Sequence, residues 1–267
     1  MSTLAFIGAG NMAEAIARGL LRSALYAPGD LRACDPSPER QRLFAEDLHV
    51  ATSADCVAAA KDAHILLLAV KPYVMGEALE ALKAASRPDA LFISIAAGIS
   101  TRFIETALGD QRRVIRVMPN TPMLVGKGMS ALSKGAHATD ADLIVAEKIF
   151  DAGGRTVRLP ESALDAVTAL SGSGPAYIFL LTEALAQAGV EAGLPASEAA
   201  HLARQTVVGA AALLEESKDS PAELRRKVTT PNGTTQAAVE SLQQAGFQSL
   251  MTAAVAAAAK RSRELGK

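Results

Sequence analysis

Six residues near the start of the chain carry the first legible chemistry. Gly8-Ala9-Gly10-Asn11-Met12-Ala13 has the spacing G-x-G-x-x-A. It follows the apolar run Leu4-Ala5-Phe6-Ile7 and opens a helical pattern with Met12, Ile16 and Leu20 on one face. Each small residue serves a dinucleotide: Gly8 permits a tight turn, Gly10 lets the backbone approach a pyrophosphate, and Ala13 keeps helix and strand close. The helix start then turns free N–H groups and the positive end of its dipole toward the phosphates. Asp35 closes the second apolar run, where an acid commonly bonds a ribose 2′-hydroxyl and favours NAD. Arg40 nearby could serve a 2′-phosphate instead, and Asp35-Pro36 is equally a common turn start. Both NADP(H) and NAD(H) therefore stay open as the cofactor.

No residue stands out as a catalytic acid. His49, His64, His137 and His201 are scattered, none paired at metal-ligand spacing, and Cys34 and Cys56 form no cluster. No metal is expected. A nucleophilic serine in G-x-S-x-G context is also missing. Reduction of a ketone makes an alkoxide and needs a proton donor. A protonated imine already carries its proton, and hydride addition neutralises its charge, so positioning alone could suffice. A hydride-transfer site without a histidine fits an imine better than a carbonyl.

These residues need a scaffold, and the pattern of apolar runs supplies one. Strands are expected at 4–7, 31–34, 64–70, 91–95 and 114–118, none showing polar alternation, as in a parallel sheet covered on both faces. Helical patterns at 12–23, 38–47, 73–85 and 101–108 lie between them. The alternation implies βαβ units and a doubly wound sheet. Two edge strands, 129–133 and 156–159, flank a helix at 140–150. Ala69-Val70-Lys71-Pro72, Ser94-Ile95-Ala96-Ala97-Gly98 and Pro119-Asn120-Thr121-Pro122 each follow a strand, at the edge where open α/β sheets bind ligands. From 161 onward only helices are expected, at 161–190 (interrupted by Gly172-Ser173-Gly174-Pro175), 196–216, 221–227, 234–244 and 247–265. Two are crowded with alanine and apolar residues on several sides and must be buried, and a tail this short has limited interior of its own; a subunit interface is inferred, with a compact monomeric bundle as the alternative. The division is thus a dinucleotide-binding domain over 1–160 and a helical domain over 161–267.

Bulk properties exclude other classes. With 27 Lys+Arg against 28 Asp+Glu, the net charge is −1, which argues against nucleic acid as a partner. No Trp and 4% aromatics leave no stacking surface for single strands. The apolar fraction is 49%, yet no uninterrupted apolar run approaches the ~18 residues of a membrane span. The opening MSTLAFIGAG lacks a basic leader region, so a cytoplasmic protein with two reduced thiols is expected.

Two later motifs make the reading specific. DAVTALSGSGPAY at 165–177 and LRRKVTTPNGTTQAAVESL at 224–242 resemble segments of the pyrroline-5-carboxylate reductases, and GAGNM, AVKP, SIAAG and MPNTP extend the resemblance along the whole chain. The resemblance implies an α/β fold: an N-terminal Rossmann doubly wound sheet with a C-terminal all-helical dimerisation domain. It implies reduction of the cyclic imine of 1-pyrroline-5-carboxylate to L-proline, and a homodimer or a ring of dimers such as a decamer. It places Ile7, Gly8, Ala9, Gly10, Asn11, Met12, Ala69, Val70, Lys71, Pro72, Ala96, Ala97 and Gly98 at the cofactor, beside Asp35. It places Thr230, Gly233, Thr234 and Thr235 in the substrate loop, with the Thr235 hydroxyl on the ring nitrogen as the catalytic contact. Glu161 matches a substrate-site acid in some members, although an acid at a helix start has a plainer meaning. Lys227 is a weaker candidate for the cofactor ribose. Asn232 departs from the glycine common there; with Gly233 kept, the turn is expected to survive. β-Hydroxyacid dehydrogenases share the layout but use a lysine on the corresponding helix, and SGSGPAYIFLLTEAL has none. A cofactor-binding regulator without turnover is a second alternative, against which the TTPNGTT loop argues.

Overall fold

In the computed structural model, which describes residues 2–109 and 111–265, the apolar runs assemble into one eight-stranded sheet. The strands are β1 (Leu4–Ile7), β2 (Leu31–Cys34), β3 (Ala51–Ser53), β4 (Ile65–Leu68), β5 (Leu91–Ser94), β6 (Arg113–Met118), β7 (Gly128–Lys134) and β8 (Gly154–Arg158). Their order is β3-β2-β1-β4-β5-β6-β7-β8. The first six in that order are mutually parallel, β7 runs antiparallel to β6, and β8 is parallel to β7. The helices between them are α1 (Asn11–Arg22), α2 (Pro38–Arg42), α3 (Cys56–Ala60), α4 (Met75–Ala85), α5 (Thr101–Leu108) and α6 (Asp140–Asp151). The architecture is α/β and doubly wound, as expected.

The absence of polar alternation in the strands has its cause in two cores. Leu4, Phe6, Leu67, Ile93 and Ile115 point to one face, where Ile16 and Leu20 of α1 and Ile149 and Phe150 of α6 cover them. Ala5, Ile7, Leu66, Leu68 and Phe92 point to the other, beneath Leu79 and Leu82 of α4 and Ile104 of α5. Alternate residues of one strand enter different cores, so all must be apolar. Phe44, in a wide turn after α2, meets Phe6 edge-on with ring centroids 5.9 Å apart. Helix starts are set by local caps: the Ser100 hydroxyl accepts from the Phe103 N–H, and Thr139 with Asp142 forms a capping box on α6.

Three expectations change. β3 and α3 were not foreseen, because elements of three and five residues are too short to display a period. β7 lies inside the sheet between β6 and β8, so of the two expected edge strands β8 alone is one, and the other edge is β3. The two cysteines, expected as separate thiols, are joined: Cys34 at the end of β2 and Cys56 at the start of α3 form a disulfide with Cα atoms 5.1 Å apart. Nothing in a separation of 22 residues announces this. The crossover from β2 through β3 sets the start of α3 beside the end of β2.

The chain divides into two compact units, residues 1–173 with 257–267, and residues 174–256. Completing the helices are α7 (Leu164–Val167), α8 (Gly174–Glu191), α9 (Ala196–Glu216), α10 (Pro221–Lys227), α11 (Thr234–Gln244) and α12 (Phe247–Leu265), close to the expected bounds. In the second unit α8 and α9 pack on each other through small residues, Gly189 against Ala199. Among its described residues only Ala199 and Ala203 are buried, while Phe179, Leu180, Val208 and Leu250 are more than half exposed. The segment Glu161–Glu191 is long and apolar enough by length and composition to cross a membrane, a test that the core helix of a soluble protein passes as well.

The disulfide is directly testable. Alkylation of the unfolded, unreduced protein should label neither cysteine, and reduction should expose two labelling sites, read by intact-protein mass. Two labels before reduction would show the thiols to be separate.

Candidate active site

Because β1 to β6 are parallel, their carboxyl ends and the segments that follow share one edge of the sheet. From β1 the chain winds outward through β2 and β3, then resumes on the other side at β4. That reversal opens a crevice between the ends of β1 and β4, the usual ligand position in such sheets. Gly8 follows β1 there with φ +95°, and a Cβ on it would lie 2.8 Å from the carbonyl oxygen of Ala69, which follows β4. Both backbone conformation and space demand glycine. Gly10 is different. Its φ of −69° suits any residue, and a Cβ built on it meets no protein atom within 4 Å. Nothing in the protein requires a glycine at that position; a phosphate approaching the backbone would. Gly10 also precedes α1 without a side-chain cap, which leaves the first N–H groups of the helix to an anion.

Charged side chains hold this turn. The Ala9 N–H donates to Asp35 Oδ2 at 2.8 Å, and the Ser37 N–H donates to the other carboxylate oxygen at 2.9 Å. Arg40 Nε donates to the Ala9 carbonyl at 2.5 Å, and its second nitrogen pairs with Glu14 Oε2 at 2.9 Å. Arg18 takes the other Glu14 oxygen at 2.9 Å. Burial pushes the Glu14 carboxyl up, but hydrogen bonds from Arg18 and Arg40, with their charges, outweigh it and hold the group below the usual carboxylate range. Of the two readings the sequence offers for Asp35, ribose partner or turn start, the Ser37 N–H on its Oδ1 shows the turn; for Arg40 the sequence offers only a 2′-phosphate. Their grip on Ala9 and the part of Glu14 were missed.

The remaining segments of the edge follow in order. Lys71 is exposed and extended (φ −64°, ψ 146°), as the following proline requires. Ala69 donates its N–H to Ile7 across the switch point at 2.8 Å. Ala96 donates to the buried Ser94 hydroxyl at 3.3 Å, and Gly98 adopts φ +78° before α5. Asn120, after β6, accepts from the Met129 N–H and donates to the Ser171 carbonyl. This ties the MPNTP turn to the SGSGP segment, a link the sequence offered only as two unconnected motifs.

Glu161 is fully occupied. One oxygen accepts from the Thr101 N–H at 2.8 Å and from Arg116 at 3.1 Å, and the other accepts from the Thr101 hydroxyl at 2.7 Å. The carboxylate therefore caps α5, a neighbouring helix rather than its own, and satisfies the buried Arg116 of β6.

In the helical unit, the substrate-loop candidates sit together where α10 hands over to α11. The Gly233 N–H returns to the Thr230 carbonyl at 3.0 Å, and Asn232 has φ +58°. Asparagine tolerates this left-handed conformation better than most residues, which is why the turn survives without a glycine there. The Asn232 N–H is held by Gln236 at 2.7 Å. Gly233 precedes α11 with no side-chain cap, so Thr234 and Thr235 open the helix with N–H groups suited to a carboxylate. Thr230 and Thr234 are exposed and Thr235 is half-buried. Lys227 is paired with Asp219. A cavity of about 730 Å³ lined by Arg18, Asp47 and His49 opens near the amino ends of β2 and β3, away from the ligand edge.

Comparison with known proteins adds names to these features. Residues 161–265 match the model described as "Pyrroline-5-carboxylate reductase dimerisation", and residues 3–98 match "NADP oxidoreductase coenzyme F420-dependent". A pyrroline-5-carboxylate reductase of Synechocystis is 45% identical over 99% of this chain and 98% of its own length. The structure of a pyrroline-5-carboxylate reductase from Coxiella burnetii superposes with a TM-score of 0.93 at 38% identity, covering 100% of this chain and 99% of that one. A pyrroline carboxylate reductase from Plasmodium falciparum, solved with NADP bound, gives 0.88 at 29% identity over 100% and 98%.

The two glycines of the turn should fail in different ways. Gly8→Ala forces a Cβ onto a backbone carbonyl at strained φ and should cost roughly 2 kcal/mol or more of stability, seen in denaturant unfolding. Gly10→Val should leave the unfolding midpoint nearly unchanged and weaken NADPH binding by ~10-fold or more. Normal NADPH binding by Gly10→Val would remove the phosphates from this turn.

Proposed function

The chain belongs to the pyrroline-5-carboxylate reductase family, and on that premise we propose that it reduces 1-pyrroline-5-carboxylate to L-proline at the expense of a reduced nicotinamide cofactor. This is the last step of proline biosynthesis and a reduction of a C=N bond. The observation that carries the reading is the Gly8 turn packed on Ala69 at the sheet's switch point, with the flank of Gly10 open to a pyrophosphate. NADP(H) is the cofactor we assign, from the match of residues 3–98 and the NADP-bound relative; NAD(H) is the alternative the assay separates.

When bound, the cofactor supplies the hydride. The chain's residues bind and orient. Residues 7–12, 69–72 and 96–98 hold the dinucleotide along the carboxyl edge of the strands, and Asp35 supports the first of these segments through the Ala9 N–H. The N–H groups at Gly233, Thr234 and Thr235 and the Thr230 hydroxyl hold the substrate carboxylate at the start of α11. The Thr235 hydroxyl bonds the ring nitrogen, fixing the imine carbon for attack and steadying the proton that becomes part of the product amine. Glu161 supports the site by holding the start of α5. No group need transfer a proton to an oxyanion, consistent with the absence of a well-placed histidine.

We assign the helical residues from 161 on to dimerisation and substrate binding, and residues 1–160 to the cofactor. The exposed apolar side chains of α8 and α9 are the surface a second copy would bury, at roughly 25 cal/mol per Å². Dimers of this kind assembling further into a decameric ring are part of the proposal. So is a cytoplasmic location, with neither membrane nor nucleic acid as partner; the Cys34–Cys56 pair would there exchange with the cellular thiol pool.

Two measurements test this. Purified protein should oxidise NADPH on addition of pyrroline-5-carboxylate, and Thr235→Ala should lower the saturated rate ~10-fold or more, as a hydrogen bond to a charged group implies. Thr235→Ser should be much milder. Equal rates for wild type and Thr235→Ala would remove the hydroxyl from the mechanism. Light scattering at low micromolar concentration should report at least twice the chain mass, and a monomer would refute the helical interface.

A further inference from the structure

The acid after β2 and the arginine five residues on are where selection between a ribose 2′-hydroxyl and a 2′-phosphate is normally sought. Here both side chains are directed elsewhere. Asp35 takes the N–H of Ala9 and Arg40 takes its carbonyl, at 2.8 and 2.5 Å. Ala9 itself is buried. The two peptide planes on either side of Ala9 are therefore each held by one charged group. A trans peptide is planar, with its C=O and N–H pointing in opposite directions. Fixing the Ala9 carbonyl on Arg40 consequently fixes the Gly10 N–H in the opposite direction, away from that guanidinium, at a residue whose Cβ position meets no protein atom within 4 Å. Arg40 is in turn held by Glu14 of α1, which Arg18 holds as well. The second oxygen of Asp35 is held by the Ser37 N–H.

We propose that Asp35 and Arg40 are positioning residues that act on the cofactor through Ala9, aiming the Gly10 N–H at the pyrophosphate, and that they do not set the choice between NADPH and NADPH's unphosphorylated counterpart, NADH. The inference rests on the nicotinamide-cofactor reading above. It has a consequence opposite to the usual roles. An acid on the 2′-hydroxyl favours NADH when present, and an arginine on a 2′-phosphate favours NADPH. Their removal would shift selectivity in opposite directions. Removal of a clamp on the shared pyrophosphate turn weakens both cofactors together.

The experiment is equilibrium binding of NADPH and of NADH to wild type, Asp35→Ala, Asp35→Asn and Arg40→Ala, with circular dichroism as a check on folding. Both alanine variants should bind each cofactor ~10-fold more weakly or worse, since each removes a charge-assisted hydrogen bond. The NADPH-to-NADH affinity ratio should stay within about 5-fold of wild type, the tolerance allowed for loss of one charge near the nucleotide. Asp35→Asn keeps one oxygen, enough for the Ala9 N–H but not for the Ser37 N–H as well, and should recover part of the loss for both cofactors, a rescue that general damage to the domain would not show. A ratio moved beyond that limit by either alanine variant, undiminished binding of both cofactors, or an asparagine variant as weak as the alanine one would each overturn the inference. Should Asp35→Ala not fold, Arg40→Ala and Asp35→Asn carry the same ratio test. Failure of wild type to bind either nucleotide would instead overturn the cofactor reading on which the inference stands.

Discussion

The contact on which the cofactor half depends is a backbone passing another backbone: Gly8 against the carbonyl of Ala69. β1 must lie beside β4, parallel and in register from Leu4↔Ile65 to Ile7↔Leu68. The turn after β1 then has to leave the sheet with no room for even a methyl group. Once that passage is made, α1 starts over the crevice and its first N–H groups look out from the strand ends. A bulkier turn would displace the helix start, and with it the only part of the motif that can meet a phosphate without a cationic side chain.

Around that passage the molecule places charge sparingly. The turn is held by Asp35 and Arg40 acting on main-chain atoms, and the start of α5 by Glu161 acting on Thr101 and Arg116. In each case a partly buried carboxylate finds N–H or guanidinium partners, as groups withdrawn from water must. The charges shape the edge of the sheet and leave the reaction to orientation. That suits an imine, whose own proton removes the need for an acid.

The two units also divide the thermodynamic work. Residues 1–173 carry two apolar cores on the faces of one sheet. Residues 174–256 bury almost nothing by themselves. Helices rich in alanine allow close approach of backbones, and side chains such as Phe179 and Leu180 supply apolar area that a single chain leaves in water. A second copy is the economical cover for such a surface, because a self-complementary patch needs no other gene product. The Thr230–Thr235 turn lies in this same unit.

Much of this was legible in the residues alone. The strands other than β3, the position of G-x-G-x-x-A, the change to helices after residue 160 and the extended backbone that Pro72 imposes on Lys71 all follow from patterns within about a dozen residues. Such patterns survive in a sequence because period, turn chemistry and proline sterics act locally. The TTPNGTT turn belongs with them, although its survival is expected from Gly233, and the left-handed backbone falls on Asn232. Other features were decided only when the chain closed. Cys34 meets Cys56 across 22 residues, Asp35 meets Ala9 across 26, Arg40 meets Ala9 across 31, and Glu161 meets Thr101 across 60. A cysteine, an acid or an arginine has several reasonable partners at any site. Which partner it takes depends on a few ångströms of reach, set by how strands and crossovers bring distant backbones together, and no local periodicity records that distance.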